Sequence, residues 1–278
     1  MHVPQTAADA ESLAIACGFV DSRRRAVALH TYPGPIPASL AAGYAIQDAA
    51  IALMGGTVAG WKVGRIWPPD EAAFASNRLS GPIFSSGVVS VDGDASGADP
   101  IVMPVFEGSF GAVEAEFVLA LGEVDPAQRQ FTLAEVAALV TGVHVGIEIA
   151  SSPLATINEL GPAVTVSDFG NHLGLIVGPA IADWQTAAFD DWPIAVSIDG
   201  ERVGTGFARD FPDGSLGSVR FLLELLARRR IAVPMGTLVS TGAVTGVHPI
   251  TAGQSATAQF GDRAALYCTI EKAAPAAA

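Results

Sequence analysis

Apolar and polar positions change their rhythm at about residue 57. Before that point, Ala8 to Ala16 and Ser39 to Met54 have helix-favouring composition. The second stretch carries Leu40, Tyr44, Ile51 and Met54 at helical spacing until Gly55-Gly56 ends it. After it, short apolar runs are separated by turn residues. Thr57 to Gly64, Gly87 to Val91, Val113 to Leu121, Val143 to Ile149, Gly174 to Val177 and Ile194 to Ile198 read as strands. Thr237 to Thr241, Ser255 to Phe260 and Ala264 to Ile270 follow the same pattern. Asp199-Gly200, set before Glu201 to Val203, signals a hairpin, and Gly261-Asp262 divides the last two strands. Two helices are expected among the strands. One starts at Thr132, where Glu135 completes a capping box, and one runs over Ser218 to Arg230, whose terminal arginines suit the helix dipole. Strands and helices do not alternate strictly, which disfavours a doubly wound sheet. The pattern predicts an α+β fold. A helical segment over residues 1–80 leads into a β-rich core over 81–274, with a low-complexity tail at 275–278.

Within these strands, a few polar residues sit where apolar ones are expected. In Val113 to Leu121, alternation puts Glu114 and Glu116 on one face and Val113, Ala115, Phe117 and Leu119 on the other. Two adjacent carboxylates repel each other, and burying one unpaired costs several kcal/mol. A divalent cation would remove both problems; a solvated edge is the plainer alternative. In Val143 to Ile149, His144, Gly146 and Glu148 share a face opposite four β-branched residues. Glu148 would then be a third ligand or the partner of an arginine. Three carboxylates on two apolar strands make a hard oxygen site suited to Mg²⁺ or Mn²⁺ and poor for zinc. His144 is a proton shuttle, a neighbour of the ligands or a hydrogen-bonded core histidine.

Lys62 is one of only two lysines, and its strand face otherwise bears Gly60 and Gly64, leaving space for a ligand. It would bind a carboxylate or steady a developing enolate, or else snorkel from an edge. Asp168 to His172 forms a polar knot after Val164 to Val166, which is a turn or part of a site. Ser240-Thr241-Gly242 would offer a hydroxyl and backbone N–H groups to an anion.

Charge narrows the partners. With 28 acidic against 15 basic residues and a net charge of −13, the chain is unsuited to nucleic acid or an anionic membrane surface. Half of it is apolar and 15% charged, which excludes disorder. Cys17 and Cys268 cannot build a disulfide framework, so a reducing cytoplasm is expected. Met1 to Glu11 lacks the order of a secretory signal, and no apolar run reaches the roughly 18–20 residues of a membrane span. The apolar richness suits a homo-oligomer without defining its interface.

In this order, Gly60-Trp61-Lys62-Val63-Gly64, Gly81-Pro82-Ile83-Phe84, Val113-Glu114-Ala115-Glu116, Gly146-Ile147-Glu148-Ile149, Asp168 to Gly174 and Ser240-Thr241-Gly242 resemble the fumarylacetoacetate hydrolase superfamily. The closer resemblance is to its 2-keto-4-pentenoate hydratase and 4-oxalocrotonate decarboxylase branch, over residues 40–272. It implies a mixed β-sandwich or roll behind a helical N-terminal part. It also implies Glu114, Glu116 and Glu148 as ligands of Mg²⁺ or Mn²⁺, Lys62 as a catalytic or substrate-binding residue, and Asp168 as an acid near the site. The family often reads Lys-Ile-Gly-Leu-Thr where this chain has Lys62-Val63-Gly64-Arg65-Ile66, and Asn or Ser at His172. These departures fall near the expected substrate. The implied activity is hydration of an unsaturated 2-oxo acid through an enolate. Decarboxylation of a 2-oxo-enedioate, hydrolysis of an acylpyruvate with His144 or His172 recruited, and a non-catalytic scaffold role are the alternatives.

Overall fold

The computed structural model describes residues 7–91 and 101–276. Part of the expected tail, residues 277–278, and residues 1–6 of the polar start lie outside the described residues. In chain order the elements are α1 Ala7–Arg25, α2 Leu40–Met54, β1 Val58–Arg65, α3 Asp70–Phe74, β2 Arg78–Phe84, β3 Val88–Ser90 and β4 Ile101–Val105. Next come β5 Phe110–Leu121, α4 Leu133–Leu139, β6 Val140–Ser152, α5 Pro162–Ser167, β7 His172–Ala180, β8 Ile194–Ile198 and β9 Glu201–Gly206. The last are α6 Gly214–Arg229, β10 Leu238–Ser240, β11 His248–Pro249, β12 Ser255–Phe260 and β13 Ala264–Lys272.

Two mixed sheets form the body. The larger has the order β2-β1-β10-β5-β6-β7-β3, with β11 also on β5, and the smaller the order β4-β13-β12-β8-β9. β1 runs parallel to β10 and β3 parallel to β7, while the long β5–β6 pair is antiparallel. The main core carries Val113, Ala115, Phe117 and Leu119 of β5 with Val143, Val145, Ile147 and Ile149 of β6. Phe260 and Leu266 of the smaller sheet and Leu222 and Leu226 of α6 belong to it too. Phe117 contacts Phe189, Trp192 and Phe260 ring to ring. A second cluster joins Ile15 and Phe19 of α1 and Ile46 of α2 to Leu154, Ile157, Val164 and Phe169. Gln47 on α2 donates to the Ser80 and Val166 carbonyls at 2.9 Å, which fastens that helix to β2 and α5. No helix among the described residues is long and apolar enough to cross a membrane.

Several local expectations are met. Gly55 ends α2, Thr132 and Glu135 form the capping box of α4, and Asp199-Gly200 turns β8 into β9 with positive φ at both positions. Other elements differ. α1 extends to Arg25, and α6 begins at Gly214 rather than Ser218. Val164 to Val166 lies in a wholly buried helical turn because Pro162 opens α5 at its first position, where a missing N–H costs nothing. α3, β2 and β4 carry no alternation that marks them. β2 contains Gly81 because Phe169 O would lie 1.8 Å from any Cβ there, so only glycine admits that approach.

Candidate active site

β5 and β6 set the acids against each other. In their register Glu114 pairs with Glu148, and Glu116 faces Gly146. Oxygens of Glu114, Glu116 and Glu148 all lie within 4.8 Å of one another, and the three side chains are buried. On the other side of β10, β1 places Lys62 in register with Ser240. The Lys62 ammonium lies 3.1 Å from Glu148 Oε1 and 3.9 Å from Glu114 Oε2. It also donates to Asn171 Oδ1 at 3.2 Å, and Asn171 Nδ2 donates to Asn158 Oδ1 at 3.0 Å. Lys62, Glu114, Asn158 and Asn171 line a cavity of about 650 Å³, whose outer wall includes Arg65, Trp67, Phe211 and Thr245.

One ammonium therefore faces three carboxylates. The imbalance appears in their acidities. Burial pushes Glu116 well above the usual carboxylate range, and the charges of Glu148 and Glu114 push it further. Burial also raises Glu114, to about 7, with Lys62 pulling against it. Glu148 is the ionised member: burial opposes its charge, but Lys62 and the His172 hydrogen bond hold it at about 2. Burial would discharge Lys62 too, yet Glu148, Glu114 and Glu116 together raise it above its ordinary value. His172 is lowered by burial despite Glu148, so its ring is neutral. A carboxylate only accepts, which makes Nδ1–H the donor to Glu148 Oε1 at 3.0 Å. The contact is a hydrogen bond rather than an ion pair.

Three buried atoms of this group have no hydrogen-bond partner: Glu116 Oε1, Glu148 Oε2 and His172 Nε2. A buried polar atom left unpaired costs about 1–3 kcal/mol. Two orphaned carboxylate oxygens beside a third carboxylate fit a hard divalent cation, which would satisfy them and cancel their repulsion. The cation expected from the sequence is matched in donor type.

Neither a family model nor a curated protein matches the chain. Solved structures do. A 4-oxalocrotonate decarboxylase from Pseudomonas putida G7, complexed with magnesium and adipate, superposes with a TM-score of 0.78 at 18% identity, covering 96% of this chain and 100% of that one. A fumarylpyruvate hydrolase from Pseudomonas aeruginosa, in complex with Mn²⁺ and pyruvate, gives 0.56 at 18% identity over 77% and 89%. Both are members of the fumarylacetoacetate hydrolase superfamily. The chain has the fumarylacetoacetate hydrolase fold.

On that fold, the remaining residues singled out in the sequence take distinct places. Ser240 Oγ and Gly242 N–H both donate to Glu116 Oε2, at 2.5 and 2.8 Å, so these two hold a carboxylate in place. Thr241 is spent on backbone, its hydroxyl donating to Phe117 O and its carbonyl accepting from Ser218. Asp168 is fully buried and gripped by Arg23, with contacts of 2.5 and 3.0 Å to its two oxygens. The same guanidinium reaches the carbonyls of His172 and Ser151. Asp168 thus ties α1 to the turn that carries Asn171 and His172, and it does not line the cavity. His144 is opposite Val118, two residues past the acids, with Nδ1 on the Gly178 carbonyl at 2.9 Å. The structure does not bring it to the carboxylates. Gly60 is filled rather than open, since a Cβ there would lie 2.3 Å from Leu238 O; Gly64 does line the cavity.

Asn171 lies in the polar knot marked in the sequence, but two further residues, Asn158 and Arg23, were not read from it. Asn158 has a short polar side chain in a loop, where turn chemistry explains it equally well. Arg23 had one available signal, namely that a buried Asp168 needs a cation. Sequence spacing does not say which basic residue supplies it.

Proposed function

We propose that this protein is a divalent-metal-dependent lyase acting on an unsaturated 2-oxo acid through its enolate. The observation that carries the reading is the buried trio Glu114, Glu116 and Glu148, with two orphaned oxygens, facing a protonated Lys62 at the floor of a cavity. Mg²⁺ or Mn²⁺ held by those acids would supply Lewis acidity and fixed positive charge. Lys62 stays charged among the acids, so it acts as a hydrogen-bond donor to a developing oxyanion rather than as a base. Asn171 fixes the ammonium from the other side, and Asn158 fixes Asn171. His172 keeps Glu148 oriented and ionised.

Such a site serves two reactions. In hydration, water adds across the conjugated double bond of a 2-keto-4-pentenoate-like substrate and gives a 4-hydroxy-2-oxo acid. In decarboxylation of a 4-oxalocrotonate-like dioate, the bond to the distal carboxylate breaks and its electrons run through the conjugated carbons to the 2-oxo oxygen. CO₂ leaves, and the dienolate is then protonated. The second is favoured by the decarboxylase whose whole length superposes on this chain, against partial coverage for the hydrolase. Purified protein with Mg²⁺ is to be assayed on 2-hydroxypenta-2,4-dienoate, 4-oxalocrotonate and an acylpyruvate. Turnover of either of the first two, abolished by EDTA and restored by Mn²⁺, is the expected result. Turnover of the acylpyruvate alone, or turnover indifferent to chelation, would overturn the proposal.

A further inference from the structure

Enolate chemistry at Lys62 and the glutamates uses the floor of the cavity and leaves its outer part without a role. The volume is about 650 Å³. Sites of roughly 300–1,000 Å³ receive drug-sized ligands, so a short oxo acid would leave most of this one empty. Ile66, Leu79, Phe211 and Val244 line the space with apolar side chains. Trp67 and Val247 line it too, and they are 63% and 48% exposed, which sets them at its mouth. Large apolar side chains left in water around a cavity mark a surface that a ligand covers.

Charge in the outer part points the same way. Among the described residues that line the cavity, Lys62 and Arg65 are the cations. Lys62 is engaged on the floor by Glu148 and Asn171. Arg65 gives Nη2 to Glu71 Oε2 at 3.1 Å, stacks 5.2 Å from the centre of the Trp67 ring, and keeps Nη1 enclosed. It offers no open edge to an anion. Asp70 and Asp210 line the same space. A second carboxylate entering here would lose its water, meet two acids and find no open cation.

We propose that the outer cavity receives a bulky uncharged tail, so that the substrate is a 2-oxo acid whose far end carries an apolar group, an aryl ring above all, and no second carboxylate. Trp67 and Phe211 supply aromatic contacts for such a ring. This rests on the reading that the glutamates and Lys62 hold the 2-oxo end. Between hydration and decarboxylation it favours hydration, because a tail without a carboxylate has no CO₂ to lose. The superposed decarboxylase shares the fold at 18% identity, which leaves the outer wall to this chain's own residues.

The test is calorimetric titration of the Mg²⁺-loaded protein with oxalate and two matched pairs of saturated oxo acids, which bind without turning over. The wild type is expected to bind 2-oxo-4-phenylbutanoate about tenfold tighter than 2-oxobutanoate, the gain of burying a ring. It should bind 2-oxohexanedioate about fivefold more weakly than 2-oxohexanoate. Trp67→Ala and Val247→Asp alter exposed side chains, so the fold is kept, and each should cut the phenyl advantage about threefold. Asp210→Asn should reduce the penalty on the dioate. A phenyl advantage near one in the wild type would overturn the proposal, as would a dioate bound tighter than 2-oxohexanoate, or variants that weaken both acids of the first pair equally. If the wild type fails to bind oxalate with Mg²⁺, the underlying metal-site reading falls and takes this one with it.

Discussion

Two buried charged groups lie on either side of the turn at Phe169 to Asn171, and they are built differently. In the first, one guanidinium, Arg23, meets one carboxylate, Asp168, and its remaining donors reach backbone carbonyls. In the second, one ammonium faces three carboxylates, two of which keep an orphaned oxygen. Burial alone does not separate them, since Asp168, Glu116 and Glu148 are all fully buried. Compensation does. A group whose charges and hydrogen bonds close within the chain fastens the fold, whereas one left crowded with carboxyl groups and under-bonded is completed by something from outside.

The contrast yields four tests, in falling order of effect. Glu116→Gln should abolish Mn²⁺ binding and turnover, yet leave the stability of the metal-free protein little changed, because burial and the neighbouring carboxylates favour the uncharged form of Glu116. Isothermal titration with Mn²⁺ and urea unfolding measure the two halves. Arg23→Met does the reverse at the other group. It strands a buried Asp168 and should cost about 3–5 kcal/mol in urea unfolding at neutral pH.

Lys62→Met should lower kcat by about 10²–10³-fold through loss of oxyanion stabilisation while Mn²⁺ still binds, because removing the ammonium takes a positive charge away from the ligands. Loss of metal affinity in that variant would mean that Lys62 positions the acids instead. The smallest effect is with pH. Glu114 titrates at about 7 against an ordinary 4.5, so in the metal-free protein it keeps a proton that the unfolded chain has already lost. Its contribution to stability is therefore present below pH 4.5 and is lost as pH rises to about 7. A metal must displace that proton, so Mn²⁺ affinity should climb over the same interval. Titrations from pH 5.5 to 8.5 check this; a flat affinity would show that Glu114 does not ligate.

The legible parts of the molecule are those where alternation and function pull in the same direction. β5 and β6 declare one apolar face through Phe117 and Ile147, and by elimination the other face stands out through Glu114, Glu116 and Glu148. The hairpin at Asp199-Gly200 and the box at Thr132 are equally local signals. Long-range geometry was not legible. Asp168 looked like a site acid because its partner lies on α1, 145 residues away. His144 shares a strand face with Glu148, but a shared face only limits where a side chain can go, and the Gly178 carbonyl captured it. Ser240 and Gly242 carry an oxygen and an N–H apt for an anion, and the anion they hold is the protein's own Glu116.

Anomalous diffraction from crystals grown with Mn²⁺ bears most directly on the central claim. One strong peak within bonding distance of oxygens from Glu114, Glu116 and Glu148, absent in Glu116→Gln crystals, is the expected outcome. A map without density there, with Glu148 still engaged only by Lys62 and His172, would contradict it.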